Sequence, residues 1–417
     1  MRPLQRLLLA RRNFFTEPTP SFQHGFRQAI GTRVLGTGEQ GNQLFNTGRN
    51  SRIIVCAPGD DIQAAIDKLH VFGGGTVVIR SGTHNVRYNI VVYSNIALIG
   101  DNVGSTIDFG GGAYQIQILG GSAYSTGTVA LASGDTTVVG TGTTFTAAMV
   151  SRSILLQDLW YEVTAVTDAT HLTIGVPYAG TDLTSASYVI ADTVTAVQLS
   201  GITLQNSSIF PIKAQYFDDF VANDVFFTDC AGCIDADDSS GLQILGCFTQ
   251  NTDDGFDLSN CQYGVIFNGG TFNVSAGDGL RMAGCGNWML LALSYQGIAG
   301  RAAAFTQTTN FAFESSSIKS CGGIGIEFVS ANDKWALTDC AVESCVSDGV
   351  KLTASTNGLA IHGTDFANNG GYGVNIANAN CNGSMVFGNT FTSNTSGRVN
   401  DLGTGTLMAD PTHNYFN

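Results

Sequence analysis

The residues best suited to chemistry in this 417-residue chain are acids that recur at the spacing of a structural repeat. Asp253, Asp254 and Asp257 fall in one repeat, Asp235, Asp237 and Asp238 in the one before, and Asp278 in the one after. Asp254 and Asp278 are 24 positions apart, which puts them on adjacent turns of a stack with a repeat of that length. Two carboxylates brought together repel, so one is expected to hold its proton while the other stays ionised. Glycoside cleavage divides its labour in that way. Adjacent-turn stacking suits the ~5 Å separation of a retaining enzyme, and a wider pair such as Asp235 with Asp278 suits an inverting one. Asp253, Asp254 and Asp278 are therefore the candidate catalytic acids. Asp235, Asp257, Arg281 and Tyr263 are candidate substrate contacts: Arg281 could hold an acidic sugar, and Tyr263, like Trp288, an aromatic face where it is exposed.

The same acids have a plainer reading. Asp-Gly is a favoured turn dipeptide, and it recurs at Asp348-Gly349 with no acids around it. Asp235 beside Asp257 could be a solvated column relieved by a bound cation, although no EF-hand spacing is present. Cleavage, carbohydrate binding without cleavage, and a purely structural spike all remain open. Other chemistry finds little support. Cys230 and Cys233 make a lone CxxC without a second pair or a nearby His, so no metal is implied. The remaining cysteines fall near strand ends, where free buried thiols act as small apolar fillers. The six His are scattered outside the acid cluster, and no Gly-rich loop opens a helix after a strand, so no cofactor is expected.

What must position the acids is a repeat. From residue 230 the chain returns to one pattern: Gly or a small residue, apolar, any residue, apolar. The third positions are Asp235, Asp257, Arg281, Ala304, Glu327, Lys351 and Asn375, spaced by 22, 24, 23, 23, 24 and 24. A second apolar run separates them, as at 242–245, 265–267, 288–291 and 335–337. Short strands at this period cannot bury their inner faces alone and must stack on their neighbours. The fold class is therefore all-β: a right-handed parallel β-helix of roughly eleven coils. Strand alternation turns the third positions outward as a ladder, one rung per ~4.8 Å.

The stack begins with a capping helix, since Ile62, Ala65, Ile66 and Leu69 form one apolar face and Asp60 or Asp61 supplies the cap. Residues 53–120 then form the first coils. Residues 121–193 lose the rhythm and read as short strands at hairpin spacing, so they are expected to be a small inserted β-domain. Residues 194–417 carry the main body and the tail.

Charge separates the ends. Residues 1–52 hold eight Arg and two Glu, +6 against a whole-chain −14, so the rest carries −20. The acidic body makes nucleic acid an unlikely partner, and the basic arm reads as a docking segment. No apolar run approaches the ~20 residues of a membrane span. The apolar stretch 7–10 is too short for a secretory signal.

The segment from the capping helix through Gly73–His84 resembles the opening of the pectate-lyase-like superfamily, which includes polygalacturonases and phage tailspikes. The stretches 140–146 and 161–180 look like small modules of phage tail and fibre proteins. The paired-Asp motif of polygalacturonases resembles Asn251-Thr252-Asp253-Asp254-Gly255. Their Gly-His-Gly reads here Gly277-Asp278-Gly279, their third Asp falls at Gly232, and their Arg-x-Lys has no match near 300–305. Together these resemblances imply a virion surface protein, tailspike-like and homotrimeric. It would bind and, if the acids are catalytic, cleave a cell-surface polysaccharide, with the arm docked on virion or tail proteins. The alternatives are a structural spike or fibre, or a free glycoside hydrolase or lyase on an acidic polysaccharide that leaves the cell without a signal.

Overall fold

The computed structural model describes residues 52–101, 104–157, 159–408 and 415–416. The basic arm, Arg52 apart, lies outside the described residues. The rest divides into two units, one of them Ala123–Ile190. That unit is built on antiparallel pairs such as Thr137–Thr141 with His171–Ile174 and Ser153–Leu156 with Leu159–Asp168. Val138, Ile154, Val163 and Leu172 are fully buried in a core of its own.

The other unit is a parallel solenoid. One coil is Leu280–Ala283, Gly286–Leu291 and Ser294–Gln296; the next is Ala303–Thr306, Thr309–Glu314 and Ser317–Lys319. Each strand pairs in parallel with its equivalent one coil on. The third strand of each coil builds a 12-stranded sheet, and the first two build a 22-stranded one. Those two count as one sheet because Ile234–Leu245 and Phe256–Phe267 run unbroken through the corner between them. The smaller sheet has twelve strands among the described residues, and the solenoid makes about 15 turns, more than the eleven coils expected.

Turning the corners takes left-handed backbone, at one or two residues of a corner. Asp224, Gly246, Asn268, Ala292, Ser315, Asp339, Gly363 and Gly388 form one such column, with φ between 50° and 65°. Gly, Asn and Asp enter this region at little cost, which accounts for their abundance. Inside, apolar side chains stack from coil to coil; Phe311 lies on Trp335 at 4.3 Å with planes 12° apart. All ten cysteines are free and buried. The helix is Ile62–Val71: Asp61 accepts the Ala64 N–H at 3.0 Å, and Ile62, Ala65, Ile66 and Leu69 join the solenoid core. Among the described residues no helix is long and apolar enough to cross a membrane.

Candidate functional site

The ladder forms in register. Lys213, Asp235, Asp257, Arg281, Ala304, Glu327, Lys351 and Asn375 are successive partners on neighbouring coils. Apolar residues on either side of each rung point inward, so the rungs stand on the outer face. All are partly exposed except Ala304, which is 5% exposed.

Cations organise the acids. Lys213 Nζ reaches Asp235 at 2.8 Å and Asp237 at 2.5 Å. Arg281 bonds Asp257 at 2.9 Å and lies 3.6 Å from Asp254. Arg301 bonds Asp278 at 2.6 Å and Glu327 at 2.8 Å. Each cation thus bridges two carboxylates, and the strip keeps an excess of negative charge. The Arg301 guanidinium bonds Glu327, the register partner of Ala304.

Asp254 and Asp278 do sit on adjacent coils, yet their carboxylates face different partners. Asp254 Oδ1 accepts the Asp278 N–H at 3.2 Å, while the Asp278 oxygens accept three donors of Arg301, including its backbone N–H at 2.8 Å. Asp348, three turns beyond Asp278, does the same, accepting the Tyr372 N–H of the next coil at 2.7 Å. These turn carboxylates tie one coil to the next, the role the Asp-Gly dipeptide suggests. Gly277 makes the placement of Asp254 possible, because a Cβ there would stand 1.7 Å from Asp254 Oδ1. Asp253 is exposed and accepts the Ser275 hydroxyl at 2.6 Å.

Protonation follows this geometry. Burial pushes the Asp257 carboxyl up; Arg281 opposes that, and Asp235, Asp237 and Asp254 add to it. Burial works against the Lys213 charge, but Asp235 and Asp237 outweigh it and raise its pKa. Hydrogen bonds to Asp278 and then Glu327 raise that of Arg301.

Two expected contacts are corrected. Tyr263 is 7% exposed and stands at a corner with φ 53°, so its ring offers no face to a ligand. Trp288 is 1% exposed and donates to the Cys261 carbonyl at 2.9 Å. Arg281 is engaged by two aspartates within an acidic strip. Lys213 and Arg301 escape a reading centred on acids. Lys213 is legible only as the rung 22 positions before Asp235, and Arg301 as the residue three before Ala304, where other coils carry Asp254, Asp278 and Asp348. Among the described residues no group of three His, Cys, Asp or Glu side chains is placed to hold a metal ion.

Parallel strands stacked coil on coil, with an apolar interior and an outward ladder, define the class: this is a right-handed parallel β-solenoid. Residues 268–416 match the family model described as a right handed beta helix region. A mutant tailspike protein of E. coli bacteriophage HK620 is similar over 95% of this chain and 72% of its own, at 11% identity and a TM-score of 0.54. Tailspike gp49 of Pseudomonas phage LKA1 covers 83% of this chain and 71% of its own, at 13% identity and a TM-score of 0.46. The A-module of Azotobacter vinelandii mannuronan C-5 epimerase AlgE4 covers 84% and 95%, at 13% identity and a TM-score of 0.45. At such identities the likeness speaks for the fold alone. No curated protein matches the sequence.

Proposed function

We propose that this chain is the glycan-binding body of a virion surface protein of the tailspike kind, and that a cell-surface polysaccharide lies along the ladder between Lys213 and Glu327. The observation that carries the reading is the cation bridging: Lys213 holds Asp235 and Asp237 of the next coil, Arg281 holds Asp254 and Asp257 of the coil before, and Arg301 holds Asp278 and Glu327 of the coils on either side. Groups fixed before a ligand arrives lose little freedom on binding it. Carboxylates accept from sugar hydroxyls and the guanidinium edges donate to them. A polymer of repeating sugars meets repeating rungs. The virion assignment draws on the resemblance of 140–146 and 161–180 to phage tail modules, with a homotrimeric assembly and an arm that docks on tail proteins. The test is retention of the intact chain on a panel of bacterial surface polysaccharides. Wild type should hold at least one of them, and Arg281→Gln, which releases Asp254 and Asp257, should weaken that binding about 10-fold. Absence of binding across a broad panel, or unchanged binding by the variant, overturns it.

Cleavage is favoured by the gathering of Asp254 and Asp257 around the one guanidinium of Arg281, where burial pushes the Asp257 carboxyl up. A carboxyl that keeps its proton can donate it to a leaving oxygen, while Asp253 or Asp254 serves as base or nucleophile. Asp278, bound by Arg301, holds the arginine in place. If reducing ends appear, Asp257→Asn should cut the rate on the order of 10²-fold or more; full rate in that variant moves the chemistry elsewhere.

A further inference from the structure

We infer that a second sugar-binding site, for neutral glycan rings, lies on the 12-stranded sheet, away from the ladder and different in its chemistry. A cavity of about 410 Å³ there is lined by Phe226, Phe248, Phe272, Gln250, Asn273 and Gln296. That is within the ~300–1,000 Å³ of small-molecule sites.

Its construction follows from the register. Phe226, Phe248, Gly270 and Ser294 are successive partners on four coils, as are Thr228, Gln250, Phe272 and Gln296. The first column therefore runs Phe, Phe, then no side chain. Phe272 uses the vacancy: a Cβ on Gly270 would come within 3.1 Å of its ring, which lies 6.2 Å from the Phe248 ring with planes 24° apart. The three rings are partly exposed, whereas Gln250, Asn273 and Gln296 are exposed.

This combination selects its ligand. Aromatic faces take the C–H face of a sugar ring, and an amide both donates and accepts, as a sugar hydroxyl does. None of the six side chains is charged, although the chain carries −14. An ionic partner finds no counter-charge on this shelf, so the occupant is an uncharged hexose or N-acetylhexosamine stretch. The inference rests on the glycan-binding reading but not on the ladder as its place.

The experiment presents the full chain to an array of neutral hexose and N-acetylhexosamine oligosaccharides beside uronic-acid oligosaccharides, at low and high salt. Neutral oligosaccharides should be retained, with little effect of salt because no ion pair is involved. Phe248→Ala and Phe272→Ala should each weaken retention about 10-fold. Gln250→Ala, at an exposed position, should weaken it several-fold without lowering Tm, which separates lost contact from lost folding. Arg281→Gln should leave it intact. Loss in Arg281→Gln with full retention in the Phe and Gln250 variants keeps the ladder and overturns the shelf. No retention of neutral oligosaccharides by wild type overturns it too. So does light scattering in which Phe248→Ala disrupts self-association while sugar retention stays unchanged, because the shelf is then a contact between copies.

Discussion

Asp257 is where burial and charge compete most openly. Burial and the carboxylates of Asp235, Asp237 and Asp254 favour its neutral form, and Arg281 favours the ionised one; the balance falls above the ordinary value of 3.8. A carboxyl with a raised folded pKa binds more protons folded than unfolded. Its contribution is therefore fully favourable below the unfolded pKa and is lost as pH rises through the folded one. Asp257→Asn removes that cost. Thermal melts should show the variant at least as stable as wild type near neutral pH, with the difference closing toward pH ~4. A variant less stable at neutral pH would mean that the Arg281 contact outweighs the burial. The acids themselves were legible, because consecutive coils carry them at one repeat length. Their partners were less so. Arg301 lies in a coil whose rung is only Ala304, and nothing in residue type tells a buried Tyr263 from an exposed one.

At the scale of strands and corners, the period and the outward rungs could be read because alternation and stacking fix them together. The corners could not. Asp219, Gly241, Tyr263, Asn287, Asn310 and Lys334 occupy equivalent left-handed positions, and a set that mixed carries no sequence signal. The next residue after Tyr263 shows what such corners permit. A Cβ on Gly264 would stand 2.3 Å from the Trp288 ring, its neighbour in the strand register. The bare backbone is what lets that indole pack flat inside and reach the Cys261 carbonyl. Gly264→Ala should therefore displace Trp288 and destabilise the protein by about 1–3 kcal/mol, as overpacking does. Denaturant unfolding gives the size, and a red-shifted tryptophan emission would report the displaced ring. An unchanged midpoint would mean that the corner yields easily.

At the scale of the molecule, the solenoid and the Ala123–Ile190 unit have separate cores. The sequence marks the change where its 22–24-residue rhythm stops and hairpin spacing begins. The shelf on the 12-stranded sheet left no such mark, because Phe226, Phe248 and Phe272 become neighbours only through the register, with Gly270 between them. Assembly follows from the proposed tailspike role. A spike on a symmetric particle is served by cyclic symmetry, and the proposal is a homotrimer. The arm is basic and the body acidic, so the arm should dock on an acidic partner through contacts that salt weakens. Light scattering of the intact chain at micromolar concentration should give three times the 43.7 kDa of one chain. A chain lacking residues 1–52 should keep its glycan retention, since ladder and shelf both lie in the solenoid, and should fail to join particles. A monomer by scattering removes the trimer, and incorporation of the truncated chain into particles removes the docking role of the arm. Neither result touches the two proposed sugar-binding surfaces, whose residues all belong to one chain.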